Sequence, residues 1–143
     1  MSAIPVATVL LVEDDSVDFE LTALMLKHHG FPHALVMVGD GIEALEYLTG
    51  TGAHAGRDPL QRPALVLMDV NMPRMSGFET LKKIRANPAL ADLPVAFLTS
   101  SRSPKDNERA AGLGAKAYLG KPWPDEEAQF VRRLEAILSE LLP

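Results

Sequence analysis

Cysteine is absent from the chain, which excludes a disulfide framework, a thiolate metal site and a cysteine nucleophile. Long hydrophobic runs are absent too, since none approaches the roughly 20 residues needed to span a bilayer. The first residues, Met1 to Ala7, lack the basic flank and long apolar region of a signal peptide. Basic charge is not in excess, and a net charge of −5 argues against nucleic acid as the main partner. We therefore expect a cytoplasmic protein that binds neither membrane nor nucleic acid.

Length and composition indicate one ordinary globular domain. A chain of 143 residues can bury roughly two thirds of its surface around one core and has no room for a second domain. Charged residues form no block, which is not the pattern of a disordered or fibrous chain. We expect a single domain over residues 1–143, with its folded core at about 8–142.

Short apolar runs alternate with helical patterns along the chain, which predicts repeated βα units and a parallel sheet. Five units can be counted. The predicted strands are Thr8–Val12, Ala34–Val38, Ala64–Asp69, Val95–Leu98 and Ala117–Leu119. The predicted helices run from about Ser16 to His29, from Asp40 past Leu48, from Ser76 to just before Pro88, from Pro104 to Ala111 and from Asp125 to Leu142. The stretch from Thr49 to Arg62 lacks such a pattern and is predicted to be a surface insertion.

Two of the predicted helices carry apolar stripes. In the first helix, Val17, Leu21 and Leu24 recur at the spacing of one helix face. In the last helix the stripe is wider and consists of Phe130, Val131, Leu134, Ile137, Leu138 and Leu141. Because one face of a sheet does not require so wide a stripe, we expect the last helix to mediate a homodimer. The alternative is a terminal helix that is simply well buried.

Polar residues follow the predicted strands at the points where the strands end. The first strand is followed by Glu13, Asp14 and Asp15, the third ends on Asp69, and the fourth is followed by Thr99. The carboxyl ends of parallel strands line one crevice, which is where such sheets bind ligands. Neighbouring strands lie roughly 4.8 Å apart, so these side chains are close enough to share one small ion.

Clustered carboxylates repel one another unless a cation neutralises them. Oxygen-only ligands of this kind suit Mg²⁺, which takes one or two protein carboxylates, keeps several waters and completes its shell with phosphate oxygens. The alternative for Glu13 to Asp15 is a helix cap, but three acidic residues exceed what one cap needs. Lys121 follows the fifth strand, where its ammonium could neutralise a phosphate on Asp69.

Several motifs together resemble the receiver domain of two-component response regulators over about Thr8 to Leu142. They are Leu10 to Asp15, Leu67 to Pro73 with Gly77, Leu98 to Ser100, and Gly120 to Pro122. The resemblance implies a flavodoxin-like (βα)5 fold of three layers, with a parallel sheet of strand order 2-1-3-4-5. No output domain follows the last helix, so the chain looks like a single-domain regulator, similar to those that partner phytochromes.

The resemblance also implies a role for each site residue. Asp69 matches the aspartate that accepts a phosphoryl group from a histidine kinase or phosphotransfer protein. Thr99 matches the switch hydroxyl, Tyr118 the switch aromatic residue and Lys121 the phosphate-contacting lysine. The implied ligands of Mg²⁺, or of Mn²⁺ in its place, are Asp14, Asp69 and the backbone carbonyl of Asn71, with Glu13 holding a metal-bound water. A downstream protein would then read a change in the surface of helix four, strand five and helix five.

Three other functions fit these residues less well: a phosphatase, a flavin-binding protein and a degenerate receiver. An aspartate-nucleophile phosphatase needs a second carboxylate two residues after the nucleophile, but this chain has Asn71 there; we therefore expect a phosphoacceptor that hydrolyses its own acyl phosphate slowly rather than an enzyme. A flavin-binding protein would place a phosphate-binding loop where Glu13, Asp14 and Asp15 would repel it. A degenerate receiver that only binds partners would not need every acceptor-site residue.

The resemblance finally implies a cis peptide bond between Lys121 and Pro122. Such a bend would turn the lysine towards Asp69. Cis bonds make up about 5% of X-Pro bonds, so this expectation is a specific one.

Overall fold

The computed structural model describes residues 7–101 and 103–142. The predictions that concern Met1 to Val6 lie outside the described residues. Within them, no helix is long and apolar enough to cross a membrane.

Five strands alternate with five helices, as the sequence pattern predicts. The elements are β1 (Thr8–Val12), α1 (Ser16–His28), β2 (Ala34–Val38), α2 (Gly41–Thr49), β3 (Leu65–Met68), α3 (Gly77–Ala86), β4 (Val95–Thr99), α4 (Pro104–Gly112), β5 (Ala117–Gly120) and α5 (Glu127–Leu141). The strands form one parallel sheet of order β2-β1-β3-β4-β5, which confirms the predicted flavodoxin-like fold.

The predicted boundaries differ from the observed ones by a few residues. β3 ends at Met68, so Asp69 lies just beyond the strand rather than in it. A short 3-10 turn, Pro124–Glu126, precedes α5, which therefore begins later than predicted. The insertion between α2 and β3 contains one 3-10 turn, Gly52–His54.

Two hydrophobic cores cover the two faces of the sheet. Residues of α2, α3 and α4 pack on one face, and residues of α1 and α5 pack on the other. The strands β1, β3 and β4 are therefore buried on both faces, which explains their uninterrupted apolar sequences. The result is the three-layer arrangement that was expected.

The stripe of α5 is buried within the monomer. Phe130, Val131, Leu134, Ile137 and Leu138 are all buried in the core between α5 and the sheet. The width of the stripe is thus explained by the sheet and α1 together, and the reason given for a homodimer is wrong.

The apolar stripe of α1 behaves in the opposite way. Val17, Leu21 and Leu24 are 61%, 59% and 63% exposed, while Leu26 is buried and Met25 packs against the same core. The three residues do share one face of the helix, as their spacing predicts, but that face points away from the sheet. An apolar surface is therefore left open on α1.

Two glycines allow close approaches beside the ends of the strands. A Cβ atom on Gly77 would lie 2.3 Å from the carbonyl oxygen of Asp69 and 2.9 Å from the ring of Phe97. A Cβ atom on Gly41 would lie 2.0 Å from Oγ1 of Thr80. Both distances are too short for real contacts, so α3 can start against Asp69, and α2 can lie against α3, only because these positions lack a side chain.

Candidate functional site

The predicted site residues meet at the carboxyl edge of the sheet. Glu13 follows β1, Asp69 follows β3, Thr99 is the last residue of β4 and Lys121 follows β5. Asp69 is 9% exposed, Glu13 5% and Thr99 is fully buried. Three polar side chains buried at one edge of an otherwise apolar sheet indicate a functional crevice.

Lys121 connects the two buried carboxylates. Its Nζ atom lies 3.3 Å from Oε2 of Glu13 and 3.4 Å from Oδ2 of Asp69. The backbone directs the lysine there, because the N–H of Lys121 donates to the carbonyl of Thr99 at 2.8 Å and so continues the pairing of β4 and β5. One ammonium thus serves both carboxylates of the crevice.

Burial and neighbouring charges shift the pKa values of Glu13 and Lys121. Burial raises the pKa of Glu13, and the charge of Asp69 adds to the rise, against the opposing effects of Lys121 and of the Asp15 N–H. Burial opposes the charged form of Lys121, but the charges of Asp69 and Glu13 outweigh it and raise the pKa of the ammonium. The lysine therefore stays cationic, and Glu13 carries its negative charge at a cost.

An unpredicted carboxylate also approaches Lys121. Oδ2 of Asp18, in the first turn of α1, lies 3.6 Å from Nζ. Its spacing from Asp14 places it one helical turn beyond the acidic cluster, which is the only sequence signal that could have pointed to it.

The oxygen atoms needed for a divalent cation are present. Asp14 is exposed. The N–H of Asn71 donates to Oδ1 of Asp69 at 3.3 Å, so Asn71 lies beside the carboxylate of Asp69. Among residues 7–101 and 103–142, no three acidic, histidine or cysteine side chains converge as a metal cluster. Two carboxylates and a carbonyl are nevertheless a suitable set for an ion that keeps most of its water.

The predicted cis bond before Pro122 is wrong. All peptide bonds between described residues are trans. Lys121 still reaches both carboxylates, so no cis bend is needed to aim it at Asp69.

Thr99 and Tyr118 both contact the segment that joins β4 to α4. Oγ1 of Thr99 accepts from the N–H of Ser101 at 3.1 Å, and the hydroxyl of Tyr118 donates to the carbonyl of Ser101 at 3.0 Å. The two predicted switch residues are thus linked through one residue, Ser101, one of the hydroxyl residues that follow the fourth predicted strand.

The open face of α1 lies beside the crevice. A groove of about 310 Å³ is lined by Leu21 and Met25 of α1 together with Lys121, Pro122 and Pro124. Trp123, next to the groove's lysine and prolines in sequence, is 67% exposed. An apolar surface therefore borders the polar crevice on the α1 side.

Comparison with known proteins agrees with this architecture. The family described as "Response regulator receiver domain" matches residues 9–133. Response regulator Rcp1 of Synechocystis sp. is 35% identical over 117 residues, which is 82% of this chain and 78% of that protein. The chain spans about half the length of other curated relatives, such as the probable transcriptional regulatory protein TcrX of Mycobacterium tuberculosis, of which 49% is covered at 39% identity.

Solved structures of response regulators are also similar to this chain. The phosphorylated cyanobacterial phytochrome response regulator RcpA is 31% identical with a TM-score of 0.81, covering 97% of this chain and 98% of that one. The Mn²⁺-bound form of Rcp1 is 31% identical with a TM-score of 0.80, covering 96% and 97%. The bacteriophytochrome response regulator AtBRR is 34% identical with a TM-score of 0.76, covering 94% and 95%.

The raised pKa of Glu13 predicts how stability depends on pH. Because the folded pKa lies above the usual value of 4.5, the charged form destabilises the fold at pH 7, and this effect disappears as the pH falls below the unfolded value. Glu13→Gln should therefore raise the free energy of unfolding at pH 7 in EDTA. The gain should vanish towards about pH 4, where the unfolded carboxyl also takes up its proton.

Urea unfolding at the two pH values measures this difference. Glu20→Gln, an exposed glutamate on α1, is the matched control and should change stability at neither pH. A gain for Glu13→Gln that persists at the lower pH would contradict the assigned cause.

Proposed function

This chain belongs to the response regulator receiver family, and we propose that it accepts a phosphoryl group on Asp69 from a histidine kinase or phosphotransfer protein. The observation that carries the proposal is the contact of the buried Asp69 carboxylate with the ammonium of Lys121, 3.4 Å away. The lysine can stabilise negative charge on a phosphoryl group attached to Asp69 without leaving its position.

The transfer itself requires little of the protein. A carboxylate oxygen of Asp69 attacks phosphorus, the phosphorus–nitrogen bond of the phosphohistidine breaks, and its electron pair returns to the imidazole nitrogen. Lys121 and the hydroxyl of Thr99 are available to the phosphoryl oxygens, so the chain contributes positioning and charge. Since Asn71 occupies the position of a phosphatase's second carboxylate, hydrolysis of the acyl phosphate should be slow, and the chain is a phosphoacceptor rather than an enzyme with turnover.

We assign the divalent cation site to Asp14, Asp69 and the backbone carbonyl of Asn71, with Glu13 reached through a water. The site suits Mg²⁺, or Mn²⁺ in its place. When bound, the cation supplies positive charge to the phosphoryl oxygens. The Mn²⁺-bound form of Rcp1 supports a divalent cation in this family.

We further propose that the chain acts as a cytoplasmic regulator that signals to a downstream protein. The relatives described as phytochrome and bacteriophytochrome response regulators support a phytochrome-linked kinase as the donor. A degenerate receiver without phosphorylation is disfavoured, because Asp69, Thr99 and Lys121 are all present and together.

The exposed face of α1 is the proposed contact for the protein donor. A phosphohistidine must come within bonding distance of Asp69, so its protein must cover the rim of the crevice. Leu21 lines the groove that contains Lys121, and the apolar side chains of Val17, Leu21, Leu24 and Trp123 are mostly exposed. They can bury against an apolar partner surface.

The output surface is proposed to consist of α4, β5 and α5. Tyr118 is half-buried and holds Ser101 through its hydroxyl, while Thr99 holds the N–H of the same residue. A phosphoryl group that recruits the Thr99 hydroxyl removes one of these two bonds. The β4–α4 segment and the ring of Tyr118 can then move together, provided that both arrangements already lie within a few kcal/mol.

Labelling with acetyl phosphate tests the acceptor and the cation. Wild type should gain the mass of one phosphoryl group with Mg²⁺, whereas Asp69→Asn should gain none because the nucleophile is missing. Asp14→Ala and wild type in EDTA should also fail. Asp92→Asn, an exposed aspartate in another ion pair, should label like wild type, and labelling of Asp69→Asn would refute the acceptor.

A protein donor tests the α1 face. Leu24→Glu should slow phosphotransfer from autophosphorylated histidine kinases of the host by at least about tenfold, because burying an unpaired charge in an apolar contact costs more than the about 1.4 kcal/mol that corresponds to tenfold. Its labelling by acetyl phosphate should be unchanged. Leu60→Glu, which is 86% exposed in the insertion before β3, is the matched control; equal rates for the two variants would remove α1 from the interface.

Amide NMR with beryllofluoride as a phosphoryl mimic tests the switch. Wild type should shift near Asp69 and also in α4 and β5, whereas Thr99→Ala should keep the near shifts and lose the distant ones. Ser100→Ala, which removes a neighbouring exposed hydroxyl, should respond like wild type. Distant shifts that survive in Thr99→Ala would show that the coupling does not pass through this hydroxyl.

A further inference from the structure

The segment between Asp69 and α3 contains an unfavourable backbone conformation. Arg74 has φ 66°, and it is the one non-glycine residue with positive φ among residues 7–101 and 103–142. Side chains with a Cβ atom disfavour this left-handed region. Such a conformation persists only where surrounding contacts determine it.

The contact that holds Arg74 is an ion pair with Asp40. Nη2 of the exposed arginine donates to Oδ2 of Asp40, whose side chain is only 14% exposed. The other oxygen of Asp40 accepts from the N–H of Glu43 at 2.8 Å and caps α2. Burial alone would raise the pKa of Asp40, but the hydrogen bonds from Arg74 and from the Glu43 N–H outweigh it and lower this pKa. One carboxylate thus fixes both the start of α2 and the segment after Asp69.

The pair links the two segments on either side of β1. Asp40 follows β2 and Arg74 follows β3, and β1 pairs with both of these strands. Glu13 and Asp14 leave the end of β1 between them. Met75, next to Arg74, is buried and lies close to Gly41, next to Asp40, because a Cβ atom on Gly41 would be 3.1 Å from its Cε. The link is therefore part of a packed contact.

The linked segment carries a proposed cation ligand. Asn71 lies three residues before Arg74, and its N–H is held by Oδ1 of Asp69. At the other end of the segment, the N–H of Gly77 donates to the carbonyl of Val70 at 2.8 Å. Between these two anchors, the ion pair of Arg74 with Asp40 ties the segment to the start of α2.

We propose that Arg74 is a positioning residue for the divalent cation: its ion pair with Asp40 holds the segment that carries the Asn71 carbonyl and thereby sets the cation affinity. This inference rests on the proposed cation site. Arg74 itself would not touch the cation. Residues behind metal ligands act in this way by fixing the ligands before the ion arrives.

Charge and positioning predict opposite effects when Arg74 is removed. If only charge mattered, Arg74→Ala would strengthen cation binding, because a positive group near the site would be lost. If the ion pair positions the ligand, Arg74→Ala weakens binding despite the more negative site. The sign of the change therefore separates the two explanations.

Mn²⁺ titration of the metal-free protein, followed by the electron paramagnetic resonance of free Mn²⁺, measures the affinity without any phosphorylation. We expect Arg74→Ala to bind about tenfold more weakly than wild type, the low end for such residues, and Arg74→Lys to fall between them. Arg62→Ala removes the same charge from the exposed ion pair with Asp92, at the amino end of β3. It should bind like wild type.

A double variant removes the pair without changing the net charge. Asp40→Asn keeps an acceptor for the α2 cap, since asparagine also caps helices, and Asp40→Asn with Arg74→Ala leaves the charge of the site region unchanged. The double variant should bind at least as weakly as Arg74→Ala alone, because both lack the ion pair and the double variant also lacks the unpaired negative charge of Asp40. Urea unfolding in EDTA checks that every variant is folded.

The outcomes distinguish this inference from the cation site on which it rests. If wild type binds no Mn²⁺, the proposed cation site is wrong and the inference falls with it. If wild type binds Mn²⁺ and Arg74→Ala binds equally or more tightly, only the role of Arg74 is wrong. Wild-type affinity in the double variant would likewise overturn it.

Discussion

The crevice depends on the ion pairs of the Lys121 ammonium with Glu13 and Asp69. Glu13 and Asp69 are both buried at neighbouring strand ends, and the ammonium lies 3.3 Å from the first carboxylate and 3.4 Å from the second. A pair of charges near 4 Å gains about 4 kcal/mol at an effective dielectric constant of about 20, while burying each ion costs several kcal/mol. The two effects are close in size. The crevice is therefore held near balance, where a new charge on Asp69 changes its contacts rather than the whole fold.

The fold brings these groups together through a chain of backbone contacts. Strand pairing extends past the strands, because the N–H of Asp69 donates to the carbonyl of Val12 at 3.3 Å and that of Lys121 to the carbonyl of Thr99 at 2.8 Å. The missing side chain of Gly77 then lets α3 begin against Asp69. Glu13, Asp69 and Thr99 thus stand at the ends of β1, β3 and β4, the strands that are buried on both faces.

The sheet and the crevice could be predicted from the sequence because both depend on local patterns. An apolar run that stops on a polar residue marks a strand and its end at once, and the end of a parallel strand has a known neighbourhood. The faces of α1 and α5 could not be read in this way. Leu21 and Leu134 occupy equally regular stripes, yet one is 59% exposed and the other fully buried, since periodicity finds an apolar face without saying what covers it.

Contacts between residues far apart in the sequence could not be predicted from local sequence patterns, for a different reason. Arg74 and Asp40 are far apart in the sequence, and neither an arginine in a loop nor an aspartate before a helix is unusual by itself. Their pairing arises only when β2 and β3 are placed on either side of β1. The same holds for Ser101, which joins Thr99 to Tyr118 although its sequence context is that of an ordinary loop.

The crevice has two sides that can act separately. Lys121, Thr99 and the α1 face lie towards one side, where β4 and β5 end, and they meet the phosphoryl group and its donor. Asp40 and Arg74 join the segments that follow β2 and β3, on either side of β1, and hold the segment that carries Asn71. Arg74 pairs with Asp40, whereas Thr99 accepts from Ser101 and Lys121 pairs with Asp69, so we expect the cation affinity and the output switch to be tuned by different residues. Asp69 contacts Lys121 on one side and the N–H of Asn71 on the other, so a phosphoryl group on Asp69 can act on both.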